Sequence, residues 1–382
     1  MIRMYMRTIV TAAAAALIAG NGAAAAARAP VSHPRIVAHF TLSAGQTPED
    51  IALEPDGAVD VSLAKADQVA RVTPGGHTDV MGQLPKSGNC PQIGFPVSAG
   101  IARAGDGTIY VIDCTGNADT GVWRLRYGAR PVQVAQLPAD SFPNDMALDD
   151  RTGDLYIADS LLGVVWKVPT QGGAPSSWAT GPALQKTSFF GANGIAVHDH
   201  AVWVSNTDQG TIVKIPIRAD GHAGTIRPVV TGLAGGVDNF AVLNPDNTIV
   251  ATLDQSNQVV LITPGGHPQA MLTAADGLSN PTDVTVRHHT IYISSAAYFT
   301  FNDPNLLIAH FHPGSTAHRG NGTTAQWAKT AYRAGPLATS DEQAEVPPVL
   351  KPSERSARGL SPGGRLTAAR RGPATPMAAL EA

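Results

Sequence analysis

The amino-acid sequence predicts an all-β fold, a six-bladed β-propeller with four-stranded blades around a central channel. One phrase, a short apolar strand followed by a polar turn and a second strand, recurs six times at intervals of 44 to 50 residues. The chain is rich in turn formers, with 39 glycines and 29 prolines, and it lacks helical periodicity from residue 35 to 312. Repeats of this length with four strands each are typical of propeller blades.

Residues 1–27 predict a signal peptide. Arg3 and Arg7 give a positively charged start, the run 9–19 is apolar, and small residues follow to Ala27. This order is typical of a secretory signal with an A-x-A type of cleavage site; an uncleaved anchor or a disordered tail is the alternative. The rest of the sequence has no run long and apolar enough for a membrane helix. We therefore expect a secreted or periplasmic protein that is not held in the membrane after cleavage.

Cys90 and Cys114 are the only cysteines. In an exported protein two cysteines usually form one disulfide, which here would tie a loop to its own blade; two buried thiols are the alternative. The cysteines lack a matching histidine cluster, so the sequence does not favour a structural zinc site.

The six copies of the phrase define the blades. They begin at Pro48, Val97, Pro143, Gly191, Gly236 and Asn280. In the fourth copy the pattern predicts strands at residues 195–197, 202–205, 211–216 and 227–231. The turn at 73–77 recurs at 263–267 with the same residues, Thr-Pro-Gly-Gly-His, which fixes the relative register of the first and fifth copies.

The segments on either side of the repeats have different predicted roles. Residues 35–42 read as a spare strand that completes the last blade, because an open propeller would leave unpaired strand edges. The propeller is expected to span residues 35–313. Residues 314–382 are rich in Ala, Pro, Gly, Arg and Ser, a composition that predicts a disordered tail. Its arginine-rich part, 355–371, could contact a polyanion, although a solvated tail is favoured.

The net charge is −3 and only 15% of residues are charged. This composition gives no electrostatic reason to expect a nucleic-acid partner. We expect a monomer that acts on a small molecule.

One aligned position in the six copies is the candidate functional position. Inner strands run along the central channel, so equivalent residues form a ring at one end. The ring comprises Glu49, Ala99, Asn144, Asn193, Asp238 and Thr282. Carboxylate and amide oxygens without Cys or His suit a hard divalent cation such as Ca²⁺. Asn and Asp are also common turn formers, which is the alternative explanation, although Glu49 is not a favoured turn residue.

These residues resemble the SMP-30/gluconolactonase/LRE-like family of six-bladed propellers, over about residues 35–312. Members place a Glu in blade one, an Asn in an N-D phrase of blade three, an Asn in an N-G phrase of blade four and an Asp in blade five around a central divalent cation. The corresponding phrases here are Pro48-Glu49-Asp50, Pro143-Asn144-Asp145, Ala192-Asn193-Gly194 and Val237-Asp238-Asn239.

The resemblance implies metal-dependent hydrolysis of a lactone or related ester by an activated water. It implies that Glu49 and Asn193 are metal ligands, and that Asn144 orients the substrate or binds the metal through water. Asp238 would be a ligand and the catalytic general base. Ca²⁺ is the favoured cation, with Zn²⁺, Mg²⁺ and Mn²⁺ as alternatives.

The sequence departs from the family pattern in ways that bear on the substrate. Blade one lacks the usual Glu-Gly-Pro followed by an aromatic residue, and blade five has Asp-Asn instead of Asp-Gly. Phe142 stands where members that bind sugar lactones often carry a basic residue. Phe142 and Phe190 are therefore predicted to bind substrate, and an apolar or aromatic ligand is at least as well supported as a sugar. Phe95, Phe240 and Phe299 fall in or near loops at the same end and could also line the pocket. For each of the five phenylalanines, packing between blades is favoured over a substrate role.

A second function class stays open. The phrases also resemble NHL-type propellers, which commonly bind partners without catalysis, and virginiamycin B lyase-like propellers. The latter resemblance implies opening of a ring ester by elimination, with a divalent metal and a histidine. The sequence lacks G-x-S-x-G, a glycine-rich phosphate loop and H-E-x-x-H, so the common serine hydrolase, nucleotide-binding and zinc protease motifs are absent.

Overall fold

The structure is a computed structural model that describes residues 29–312. The predicted signal peptide at 1–27 and the predicted disordered tail at 314–382 lie outside the described residues. Residues 29–312 form six four-stranded antiparallel sheets arranged as the blades of a propeller, which confirms the predicted fold class. Helical structure in this range is limited to three short 3₁₀ turns, Leu42–Ala44, Ala64–Ala66 and Ala274–Asp276. No helix among the described residues is long and apolar enough to cross a membrane.

The first five blades each use four consecutive strands, numbered from the channel outwards. Blade 1 comprises β2 (Pro48–Leu53), β3 (Val59–Leu63), β4 (Gln68–Val72) and β5 (Thr78–Gln83). Blade 2 comprises β6 (Val97–Arg103), β7 (Ile109–Cys114), β8 (Gly121–Leu125) and β9 (Val132–Gln136). Blade 3 comprises β10 (Pro143–Asp149), β11 (Asp154–Asp159), β12 (Val164–Pro169) and β13 (Ser176–Thr180). Blade 4 comprises β14 (Ala192–His198), β15 (Ala201–Asn206), β16 (Thr211–Pro216) and β17 (Arg227–Val230). Blade 5 comprises β18 (Val237–Leu243), β19 (Thr248–Leu253), β20 (Gln258–Ile262) and β21 (Gln269–Leu272).

Blade 6 closes the ring with a strand from the N-terminal side. It comprises β22 (Pro281–Arg287), β23 (Thr290–Ser295), β24 (Asn305–Phe311) and β1 (Val31–His39). The closing strand was predicted at residues 35–42. It begins earlier because Val31 already pairs with Phe311, and it ends earlier because Thr41 caps a 3₁₀ turn. The N-terminal strand β1 thereby supplies the fourth strand of the last blade and links the two ends of the propeller.

Each blade is covered on both faces by its neighbours, which explains why the second strands are buried almost throughout. In β11, Leu155 and Ile157 belong to a buried cluster shared with blade 2, whereas Tyr156 and Ala158 belong to one shared with blade 4. Successive side chains of a strand point to opposite faces, so a strand between two blades is buried on both sides. The repeated phrase therefore encodes packing between blades.

Every inner strand carries a β-bulge near its start. In blade 1 the pairing with β3 shifts between Pro48 and Ile51, and the other five inner strands show the same irregularity at the equivalent place. A bulge takes residues out of the pairing ladder and re-aims their side chains. The bulged residues of each blade are thereby free to face the central channel.

Cys90 and Cys114 form a disulfide with a Cα–Cα distance of 5.1 Å, as the sequence predicted. The bridge ties the loop before β6 to the end of β7 and so stays within blade 2.

Candidate active site

The structure brings the predicted site residues together in one cavity. Each predicted ligand is the second residue of an inner strand. The four residues line a cavity of about 370 Å³: Glu49, Asn144, Asn193 and Asp238. Phe142 and Phe190 line the same cavity. The two remaining ring positions contribute no free polar group, since Ala99 is apolar and Thr282 donates its hydroxyl hydrogen bond to the carbonyl oxygen of Pro48 at 3.1 Å.

The side-chain amide of Asn144 has a defined orientation. The Ser160 hydroxyl donates its hydrogen to the carbonyl oxygen of Ala192 at 2.7 Å, so it can only accept from the amide nitrogen of Asn144, 3.1 Å away. A hydroxyl has a single hydrogen to donate. The amide oxygen of Asn144 therefore faces the cavity, and it has no hydrogen-bond donor among residues 29–312. Asn144 is only 5% exposed.

Blade 4 repeats this arrangement with different residues. The Thr207 hydroxyl donates to the carbonyl oxygen of Val237 at 2.8 Å and accepts from the amide nitrogen of Asn193 at 2.8 Å. The amide oxygen of Asn193 likewise lacks a donor within the described part of the chain, and Asn193 is 4% exposed. Both oxygens are accessible from the cavity, because neither belongs to the fully buried side-chain atoms that lack a partner. Two amide oxygens held towards one cavity, with no donor from the described residues, form a site suited to an electropositive ligand.

The carboxylates of the cavity are only partly satisfied. Glu49 accepts a hydrogen bond from the Tyr298 hydroxyl, whereas the Asp238 carboxylate forms no hydrogen bond with the described residues. A third carboxylate, Asp254, lines the same cavity. Sequence reasoning missed Tyr298 and Asp254. Asp254 is the first residue after β19, as Ser160 and Thr207 are after β11 and β15, so extending the repeat alignment by one strand would have found it.

Burial and mutual repulsion perturb the acidic groups. The pKa of Glu49 is raised to about 7, chiefly by burial; the hydrogen bond from Tyr298 opposes the rise and repulsion from Asp254 contributes to it. Burial, followed by repulsion from Asp254 and then from Glu49, raises the pKa of Asp238 well above its usual range. Burial also raises the pKa of Asp254 to about 7. Three carboxylates in one cavity create a local negative field that a bound cation would relieve.

Lys65 is the one basic side chain among the described residues that line the cavity. Its ammonium lies 5.6 Å from the ring centroid of Phe95 and 5.6 Å from that of Tyr298, within the range of a cation–π contact. The sequence reading did not identify it.

One side of the cavity is aromatic. Phe142 and Phe190 have ring centroids 5.1 Å apart, and Phe189 lies 4.2 Å from Phe190. Phe95 and Phe299 also line the cavity. Phe240 does not line this cavity. It packs in the buried cluster between blades 4 and 5, the role that was favoured for it, and borders a second cavity.

The second cavity, of about 210 Å³, lies further along the inner strands. Its polar lining comes from the residues directly after the ring position: Asp50, Asp145, Asn239 and Asp283. The Asp145 carboxylate accepts from the backbone N–H of Met146 at 2.6 Å and of Ile195, in blade 4, at 2.8 Å. It therefore joins two blades.

Blades 6 and 1 are joined in the same way. The Asp283 carboxylate accepts from the backbone N–H of Val284 at 2.6 Å and of Ile51 at 3.0 Å. At the equivalent position in blade 2, Gly100 leaves room for blade 3, since an added Cβ would come within 2.6 Å of the Cα of Asp145. The polar groups of this second ring thus form structural hydrogen bonds between blades.

The mouth of the channel offers an oxygen donor set of two carboxylates and two amides, the kind that hard divalent cations bind. No group of three or more His, Cys, Asp or Glu side chains within residues 29–312 is arranged to hold a metal. A site on this ring would therefore depend on the amide oxygens of Asn144 and Asn193 as much as on Glu49 and Asp238.

No protein-family model matches the chain, and no curated protein matches it. Among solved structures, a gluconolactonase from Xanthomonas campestris is similar with a TM-score of 0.54 and 17% identity, covering 74% of this chain and 96% of that chain. A PQQ-bound aldose sugar dehydrogenase from Streptomyces coelicolor has a TM-score of 0.55 and 15% identity, covering 74% and 98%. A catalytically inactive virginiamycin B lyase from Staphylococcus aureus with quinupristin has a TM-score of 0.50 and 16% identity, covering 70% and 82%. These three proteins have different activities, and the likeness shows the fold alone.

Proposed function

We propose that this protein is an exported hydrolase that opens a lactone or related ester and depends on a divalent cation, with Ca²⁺ favoured. The observation that carries the proposal is the pair of amide oxygens of Asn144 and Asn193, which have no donor among the described residues and face a cavity that also contains Glu49 and Asp238. Carboxylates supplemented by amide oxygens suit Ca²⁺, which takes six to eight oxygen ligands, with waters completing the shell.

When bound, the cation would polarise the ester carbonyl and lower the pKa of a water molecule. The chain's own groups have separate tasks. Glu49, Asn144 and Asn193 would hold the cation, and the Tyr298 hydroxyl fixes the Glu49 carboxylate. Asp238, whose carboxylate forms no hydrogen bond with the described residues, would accept the proton of the attacking water.

Hydrolysis is better supported than elimination. The lyase resemblance requires a histidine as well as a metal, and no histidine is among the described residues that line the cavity. The fold similarity to a virginiamycin B lyase does not supply one. A product test separates the two reactions, because hydrolysis in ¹⁸O-labelled water places label in the product acid and elimination does not.

The central test replaces Asp238 by Asn, which keeps the size of the side chain and removes its basicity. We expect the Asp238→Asn variant to lose at least about a hundredfold in kcat/KM on a panel of lactones with added Ca²⁺, the usual scale for a lost general base. Asp246→Asn, in an exposed turn of the same blade, is the matched control and should retain activity. Retained activity in Asp238→Asn would exclude the base, and failure of the wild-type protein to bind Ca²⁺ in a calorimetric titration would exclude the site.

Export is the second part of the proposal. The Cys90–Cys114 disulfide is compatible with an extracellular or periplasmic protein, because such compartments are oxidising. Mass spectrometry of the protein recovered outside the cytoplasm should show a mature chain that begins near residue 28. Recovery of the full-length chain from the cytoplasm with reduced cysteines would contradict export.

A further inference from the structure

We propose that the substrate carries an aromatic ring and that the ring binds against the wall formed by Phe142, Phe189 and Phe190, hereafter the aromatic wall. This inference rests on the proposed ester chemistry and adds the class of substrate. The wall stands beside the oxygen donor set in the same cavity. A cavity of about 370 Å³ is of the size that takes small-molecule ligands.

The aromatic wall is preorganised by hydrogen bonds beneath it. One carboxylate oxygen of Asp208 accepts from the backbone N–H groups of Thr187, Ser188 and Phe189 at 2.8, 2.6 and 2.9 Å. From a different blade, the Gln92 amide donates to the carbonyl oxygen of Phe189 at 2.9 Å. A loop held at four backbone groups loses little conformational freedom when a ligand arrives, so more of the contact energy appears as affinity.

The three rings of the aromatic wall differ in their exposure to solvent. Phe142 is 4% exposed and Phe189 is 49% exposed, with Phe190 between them. The interplanar angles are 50° for Phe142 with Phe190 and 48° for Phe189 with Phe190. Tilted rings present both faces and edges, the arrangement in which a further aromatic ring packs well. A large apolar side chain left half exposed at a cavity mouth is typical of a surface that a ligand covers.

Three of the donors that line the cavity are already engaged. The Thr207 hydroxyl donates to Val237, the Tyr298 hydroxyl donates to Glu49, and the Gln92 amide donates to Phe189. Lys65 lies on another side of the cavity, near the rings of Phe95 and Tyr298. The hydroxyl groups of a sugar lactone would meet apolar rings at the aromatic wall and stay unpaired there, which sites penalise strongly. An aromatic ring makes no such demand.

The test measures binding separately from catalysis with two lactams, which resist hydrolysis. Dihydrocarbostyril carries a fused aromatic ring and δ-valerolactam does not. By calorimetry with Ca²⁺ present, we expect the wild-type protein to bind dihydrocarbostyril at least about tenfold more tightly, a ratio of the size that aromatic packing and added apolar contact give. Equal affinity for the two lactams, or no binding of dihydrocarbostyril, would overturn the proposal.

Variants then locate the ring. Phe189→Ala should weaken dihydrocarbostyril binding about tenfold and δ-valerolactam binding less than about twofold. Phe189→Leu keeps apolar volume and removes the ring, so it controls for a rearrangement of the loop. Its affinity for dihydrocarbostyril should lie between those of the wild type and of Phe189→Ala. Tyr127→Ala is the control, since Tyr127 is 74% exposed and is not part of the cavity lining. Equal losses for both lactams in Phe189→Ala and Phe189→Leu would contradict the placement.

Hydrolysis of dihydrocoumarin, δ-valerolactone and glucono-δ-lactone separates this inference from the proposed function. A protein that hydrolyses none of them but binds dihydrocarbostyril through Phe189 would refute the hydrolase and leave the ring site standing. A protein that hydrolyses all three equally, or glucono-δ-lactone best, would leave the hydrolase standing and refute the ring site.

Discussion

Two rings of side chains, one residue apart on the inner strands, differ in how their polar atoms are used. At the mouth, the amide oxygens of Asn144 and Asn193 have no donor among the described residues. One residue further on, the carboxylates of Asp145 and Asp283 each accept two backbone hydrogen bonds. The residue types are nearly the same in the two rings. Their position relative to the bulge decides whether their oxygens bind backbone or face an open cavity.

The difference gives adjacent residues of one strand separate roles, one in ligand binding and one in stability. Satisfied buried acceptors strengthen the contacts between blades. Acceptors that face an open cavity contribute little to folding and remain available to a ligand. The mouth ring should therefore govern ligand binding with little effect on stability, and the second ring should do the opposite.

The largest expected effect is the loss of a joint in the second ring. Asp283→Ala leaves the backbone N–H groups of Ile51 and Val284 buried without an acceptor, so the free energy of unfolding should fall by about 2–5 kcal/mol. Urea unfolding measures it. Asp150→Ala, in an exposed turn, should change the value by less than about 0.5 kcal/mol. A loss below about 1 kcal/mol in Asp283→Ala would show that this ring does not join the blades.

A smaller effect is expected from the hydroxyl that orients a mouth amide. Thr207→Val removes the acceptor for the Asn193 amide nitrogen, so the amide is no longer held with its oxygen towards the cavity. Calorimetry should show Ca²⁺ affinity reduced about tenfold, the lower end for residues that orient metal ligands. The matched control is Thr211→Val in the same blade, whose hydroxyl has no hydrogen-bond partner. Equal Ca²⁺ affinities in the two variants would mean that Thr207 does not orient the amide.

The repeat made the mouth ring predictable, but not its surroundings. Aligning six copies placed Glu49 and Asp238 at equivalent positions, because the register of a bulged strand is the same in every blade. Ser160 and Thr207 follow the second strand at equivalent positions too, but the repeat does not reveal their role. Their role depends on which backbone carbonyl receives the hydroxyl hydrogen, and this requires coordinates.

Other features depend on loop conformation, which the repeat does not encode. Tyr298 reaches Glu49 from a loop in blade 6 that has no counterpart of the same length in the other copies. Phe189 takes its place because Asp208 binds three consecutive backbone N–H groups. Phe240 follows Asp238 by two residues, but the β-bulge between Val237 and Phe240 interrupts the alternation of the strand. The two side chains therefore line different cavities.

The smallest expected effect is a pH dependence from the second ring. Burial, followed by repulsion from Asp145, raises the pKa of Asp50 well above its usual 3.8. The folded state therefore keeps a proton that the unfolded state releases above about pH 4, so this group makes the free energy of unfolding fall as pH rises. Asp50→Asn removes that contribution and can still accept the hydrogen bond from Asn239. With EDTA present, urea unfolding should show the variant about 1–2 kcal/mol more stable than wild type at pH 8 and nearly equal at pH 4. Asp246→Asn is the control and should have the same free energy of unfolding as wild type at both pH values. If Asp50→Asn were more stable than wild type by the same amount at both pH values, removal of the charge would not be the cause.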